Sequence, residues 1–206
     1  MPLQNRVTPF GEIIATPARG MFMGNRGIIH DPQTRTLLKK RWSLKAWLIC
    51  QLHYKHYHRE PMAQHSWTEL FFLDEATALA AGHRPCFFCS RARVEAFRVA
   101  WAKGNGGPIP TAPAMDTTLH RERLQQRKKR IHPLPGPLAC LPDGAMIAVD
   151  DNAFLIRVGR ALRWTPFGYA PVQELPRATG LLTPPATLGA LRAGYRPVLH
   201  PTADAS

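Results

Sequence analysis

An α+β fold is predicted by three features of this sequence. Short runs of branched and aromatic residues alternate with Gly and Pro as far as Phe72, two helix-forming segments flank a Cys86-x-x-Cys89 pair, and short strand-like runs return after Gly144. The expected architecture is a small antiparallel sheet with helices around the cysteine turn, then a basic helix, then a C-terminal β meander with a terminal helix. Punctuation by Gly and Pro divides the chain into 1–103, an α+β domain; 104–137, a Pro/Gly-rich linker with the basic helix; and 138–206, a small β-rich domain or subdomain.

The first segment is built of turns and strands. Seven Pro and Gly residues between Pro2 and Gly27 leave apolar runs too brief for helices. Gly27 to His30, Asp31-Pro32-Gln33-Thr34 and Thr36 to Leu38 spell strand, turn, strand, because Asp-Pro supplies the turn. Trp47 to Tyr54 and Thr68 to Phe72 are further strands. Asp74 is placed to N-cap a helix over Glu75 to Ala81, whose alanines favour it and which Gly82 ends. That helix delivers the chain into Cys86-x-x-Cys89. A second helix from about Ser90 to Lys103 puts Val94, Phe97 and Trp101 on one face.

Beyond the Gly/Pro stretch 104–113, a helix from about Asp116 to Arg130 carries six basic residues against Glu122, and Pro133, Pro135 and Pro137 stiffen the connector behind it. Ala145 to Val149, Ala153 to Val158 and Ala161 to Thr165 are the meander strands. Thr183-Pro184-Pro185 opens the last helix as an N-cap with a proline at the first helical position. The stretch ALAAGHRP (78–85) recurs as ALRAGYRP (190–197), which reads as one helix-ending turn used twice rather than as a duplication.

Two thiolates two residues apart can grip one ion from a single turn, and Zn²⁺ is the expected guest. Cys50 is the remaining upstream thiol and joins Cys86 and Cys89 as a candidate ligand; His30 is assigned the fourth position, with His53, His56 and His58 as alternatives. Strand alternation turns His53 away from Cys50. Cys140, the other thiol, reads as an ordinary buried small residue before Leu141-Pro142. Four unevenly spaced cysteines suit a reduced chain, and no apolar run approaches the roughly 20 residues of a membrane span, so no membrane partner is expected and the cytoplasm is the expected location.

The net charge of +13 points to an anionic partner. Between Pro32 and Arg59 there is no acidic residue, while basic and aromatic side chains alternate. Lys39, Lys40, Arg41 and Trp47, with Arg127, Lys128, Lys129 and Arg130 from the later run, are the candidate nucleic-acid contacts: cations for phosphates, the ring for a base. The competing reading is a solvated face with its rings packed inward.

The run from Phe71 to Cys89, above all AGHRPC-x-x-C, resembles the second half of the zinc-binding domain of Ada-type DNA methyl-phosphotriester repair proteins. The resemblance implies zinc bound by Cys86 and Cys89 and a link to DNA repair. In that family two further thiolates come from an upstream C-x-x-x-C, which is absent here. A different pattern, His58-Arg59-Glu60 followed by Pro85-Cys86-x-x-Cys89, matches the H-x-E…P-C-x-x-C spacing of zinc nucleobase and nucleoside deaminases. That fold needs the H-x-E to open a helix and a strand to run into the P-C turn, whereas Glu60 meets Pro61 and a helix is expected before Pro85. The expectation is therefore a zinc-binding, nucleic-acid-binding protein with a mainly structural metal, set against a deaminase-like enzyme and a protein-interaction module.

Overall fold

The structure, a computed structural model, describes residues 1–55, 60–174 and 177–204. Strands β1 (Gln4–Val7) and β2 (Ile13–Ala15) form a hairpin, and β3 (Phe22–Asn25) leads into a separate small hairpin of β4 (His30–Asp31) and β5 (Thr36–Leu37). There the Asp31 carboxylate accepts the N–H groups of Gln33 and Thr34 at 2.8 and 3.4 Å, which is how Asp-Pro makes the expected turn. Strands β6 (Leu48–Gln51) and β7 (Leu70–Phe72), helix α1 (Glu75–Ala80) and strand β8 (Arg84–Pro85) follow.

Strands β2-β1-β7-β3-β6-β8, in that order, form one six-stranded sheet. The sheet is mixed rather than antiparallel as expected, since β1 pairs with β7, and β6 with β8, in parallel. The reason is α1. A helix between β7 and β8 carries the chain over, so the residues before the cysteines run alongside β6 in the same direction.

Helix α1 is capped as its sequence requires: Asp74 accepts the Thr77 N–H at 2.8 Å, and Gly82 leaves the helix at φ +90°. The His83 N–H reaches the Ala78 carbonyl at 3.0 Å and the Gly82 N–H the Leu79 carbonyl at 2.9 Å, the pair of bonds that defines a Schellman ending. The second copy of the octapeptide does the same. Gly194 stands at φ +109°, with Tyr195 N–H on Ala190 at 3.0 Å and Gly194 N–H on Leu191 at 3.1 Å. His83 and Tyr195, the residues after each glycine, are both buried.

Helix α2 (Arg91–Asn105) buries Val94, Phe97 and Trp101. The stretch after it is not wholly a linker, because α3 (Ala112–Arg123) begins inside it with Thr111 accepting the Ala114 N–H. The predicted basic helix to Arg130 is likewise replaced. Helix α3 stops at Arg123, and β9 (Leu124–Gln125) and β10 (Lys128–Lys129) form a tight hairpin whose Gln126 and Arg127 both adopt positive φ, 49° and 67°.

The C-terminal sheet contains β11 (Met146–Val149), β12 (Asn152–Arg157), β13 (Arg160–Thr165), β14 (Gly168–Pro171) and β15 (Gly180–Leu181), in the order β14-β13-β12-β11-β15, all antiparallel. Helix α4 (Pro185–Arg192) follows, with Pro184 rather than Thr183 at its cap; the Thr183 hydroxyl instead takes the Met146 N–H at 2.8 Å. Helices α2 and α4 cross closely, Asn105 donating to the Ala186 carbonyl at 2.9 Å. A Cβ on Gly104 would lie 1.9 Å from the Gly189 carbonyl oxygen, so the crossing requires glycine. One buried cluster includes Val7, Leu79, Phe97, Met115, Ile147 and Leu191, so all three expected segments contribute to a common core.

Candidate metal centre

Register brings the thiols together. On β6, Cys50 pairs with Met23 of β3, and its neighbour Ile49 lies opposite Pro85 of β8, with the Cys86 N–H on the Ile49 carbonyl at 3.0 Å. The Cys86 carbonyl then accepts the Ser90 N–H at 3.1 Å, which starts α2 and folds Cys89 back beside Cys86. The result is a group of three sulfurs, Cys50, Cys86 and Cys89, lying within 4.8 Å of one another. A Zn–S length of about 2.3 Å places tetrahedral sulfurs about 3.8 Å apart, so the spacing fits one ion.

The surroundings favour thiolates. The Phe88 N–H donates to the Cys86 sulfur at 3.3 Å, and the Gln51 N–H supports Cys89. Without a cation the three compete for protons. Hydrogen bonds from Cys50 and then Cys89 pull Cys86 down to about 2, while Cys50, bonded to Cys86 and then Cys89 and also buried, is raised far above a normal thiol. A divalent cation removes the conflict, because its charge outweighs the mutual repulsion and lets all three ionise.

The fourth position departs from expectation. His30 is buried at 3 % exposure but is not in the group. The Ala63 carbonyl, which can only accept, takes Nε2–H at 3.3 Å, so Nδ1 accepts from the Thr68 hydroxyl at 2.6 Å, and that hydroxyl itself takes the Ile29 N–H at 2.9 Å. Both ring nitrogens are engaged, and neither has a lone pair for a metal. His53 is exposed and also outside the group; His56 and His58 lie outside the described residues. Glu60 forms an exposed ion pair with Arg35 and lies in no helix, and His58 of the deaminase pattern lies outside the described residues; the chain enters Cys86 from the short strand β8 rather than directly from a helix as expected.

Several residues that the sequence did not single out hold the centre in place. His83 accepts from Arg26 Nε at 3.1 Å and donates to the Leu48 carbonyl at 3.1 Å, tying the turn before the cysteines to β6. Burial first, and then Arg26 and Arg123, push its pKa well below the ordinary value, so it is neutral. Arg84 grips Asp116 of α3 through two bonds of 2.7 and 2.8 Å. Arg26 and Arg123 are both 1 % exposed, an enclosure that nothing in the neighbouring sequence announces.

The candidate nucleic-acid contacts separate into two sets. Lys39, Lys40, Arg41, Arg127 and Lys128 are exposed, and Arg130 is half-buried with a bond to the Arg121 carbonyl. Trp47 is 3 % exposed, held between the guanidinium groups of Arg26 and Arg123 at 3.9 and 3.8 Å, so it has no face for a base. The Lys129 ammonium turns inward to the carbonyls of Ala80 and Leu182, away from any phosphate. Cys140 is exposed rather than buried as expected, since it ends a short 3-10 turn (Leu138–Cys140) with no buried residue, and no described helix is long and apolar enough to cross a membrane.

Comparisons with models of known families, with curated proteins and with solved structures found no match.

Proposed function

We propose that this is a zinc-binding protein whose ion is mainly structural and whose basic surface binds nucleic acid. The observation that carries it is the convergence of Cys50, Cys86 and Cys89 from a strand and a separate helix-opening turn. Soft thiolates with N–H support select zinc over magnesium or calcium, which prefer oxygen. An ion there ties β6 to the start of α2, so its binding energy adds to folding. The fourth donor comes from outside the group. A role in DNA repair is supported by the Ada-like stretch 71–89, to which β6 contributes Cys50 as the third thiolate.

Metal analysis of native, untagged protein tests this. About one zinc per chain is expected, with loss of the ion and a lowered melting temperature in Cys50→Ser, Cys86→Ser and Cys89→Ser; metal-free native protein would refute it. For the repair role, incubation with methyl-phosphotriester DNA should add a methyl group to the intact protein mass. An unchanged mass removes repair and leaves the zinc site standing.

A further inference from the structure

The two basic runs are about 80 residues apart in sequence, yet they meet in the fold. Arg127, at the tip of the β9–β10 hairpin, lies over the Trp42 ring at 5.8 Å, and the His120 ring of α3 meets the same indole at 6.1 Å. Arg123 Nη2 donates to the Lys45 carbonyl at 2.7 Å, fastening the first run to the end of α3. Lys39, Lys40 and Arg41 immediately precede Trp42 in the chain, and Arg127, followed by Lys128, lies over its ring, so the two runs meet at this indole.

Inside the two runs acidic groups add little negative charge, although Glu60, just past the first run, pairs with Arg35. Between Ala112 and Arg130 there are two carboxylates, and both turn inward: Asp116 to Arg84, and Glu122 to the Ala186 N–H at 3.0 Å. The first run has none. The rings, too, are already occupied. Trp47 lies between two guanidinium groups, and Trp42 is set against Trp47 at 6.1 Å with Arg127 above it.

Resting on the nucleic-acid reading above, we infer that the two runs form one surface for the phosphate backbone of duplex nucleic acid rather than for unstacked bases. Single strands gain affinity by stacking on free aromatic faces, which the described tryptophans of this surface do not offer. A duplex offers one charge per about 1.7 Å of axis and releases more counterion per contact, with a salt slope of about −0.9 against about −0.7 per phosphate. A surface of cations without free rings reads charge density, and the duplex is denser.

Fluorescence anisotropy of the zinc-loaded full chain with a labelled DNA duplex, with each strand alone and with phosphatidylserine-rich vesicles separates the outcomes. The duplex should bind tighter and lose affinity more steeply between about 50 and 200 mM salt. Arg127→Gln with Lys128→Gln should lower the slope by up to about 2, and the triple change of Lys39, Lys40 and Arg41 to Gln by up to about 3. Tighter binding of a single strand overturns the duplex inference and leaves nucleic-acid binding intact. Binding to vesicles alone, or to nothing, overturns both. A slope moved by only one of the two variants shows that the runs are not one surface.

Discussion

Replacing Lys129 by Met should change how stability depends on pH. The Lys129 ammonium is enclosed by the carbonyls of Ala80 and Leu182, and burial, then Arg26 and Arg123, depress its pKa from 10.5 to about 7. The unfolded chain keeps that proton to about pH 10.5 while the folded chain releases it near 7, so between these values the unfolded state binds more protons and stability rises with pH. The limiting slope is about 1.4 kcal/mol per pH unit, which integrates to about 2 kcal/mol between pH 7 and 9. Lys129 as a whole is half-buried, and allowing for water near its stem reduces the expectation to about 1 kcal/mol. Arg26 and Arg123, depressed to about 9, enter mainly above this window. Urea unfolding of zinc-saturated wild type and Lys129→Met at pH 7, 8 and 9 measures the effect, zinc holding the cysteines deprotonated throughout. The wild type should gain stability across the series and the variant should gain about 1 kcal/mol less. At any one pH the sign of the difference is not diagnostic, because Met also leaves two carbonyls without a donor. Equal slopes for the two proteins would refute an enclosed, depressed ammonium.

Three further outcomes follow from the packing. Gly82→Ala would place a Cβ 2.6 Å from Arg123 Cβ at φ +90° and should destabilise by about 2–4 kcal/mol; a loss below about 1 kcal/mol by urea titration would contradict the clash. Val158, 73 % exposed and β-branched at φ 49° before Gly159, should be replaceable by Asn with a gain of about 1 kcal/mol in thermal or urea unfolding, and a loss would mean that its side chain makes contacts unseen here. Trp47→Ala should lose about 3–5 kcal/mol of stability while the folded fraction keeps its affinity for single strands; a stable variant with weakened strand binding would restore the ring to the surface.

Much of this fold was written locally. Asp74 and Gly82 bracket α1, Val94, Phe97 and Trp101 mark the buried face of α2, and the alternating runs after Ala145 become β11, β12 and β13. Cys50 could be assigned because it was the upstream thiol beside a CxxC. What could not be read was what depends on distant partners. Gln126 and Arg127 carry the left-handed turn of β9–β10 without the Asn or Gly that usually announces one, so a hairpin passed for the end of a basic helix. His30 sits on a strand end as a ligand would, but its two bonds to Thr68 and Ala63 come from residues more than 30 positions away. Lys129 looked like a surface group because its neighbours in sequence are charged, and Trp47, in a run rich in basic residues, left the exposed and the inward-packed readings both open; only the three-dimensional arrangement encloses them.

The thiolate triad is tested most directly by zinc K-edge absorption fine structure on the zinc-loaded, untagged protein. The spectrum should require three sulfur scatterers at about 2.3 Å and one nitrogen or oxygen donor at about 2.0 Å, with one sulfur fewer in Cys50→Ser. A first shell of only two sulfurs, or one unchanged by Cys50→Ser, would contradict the site.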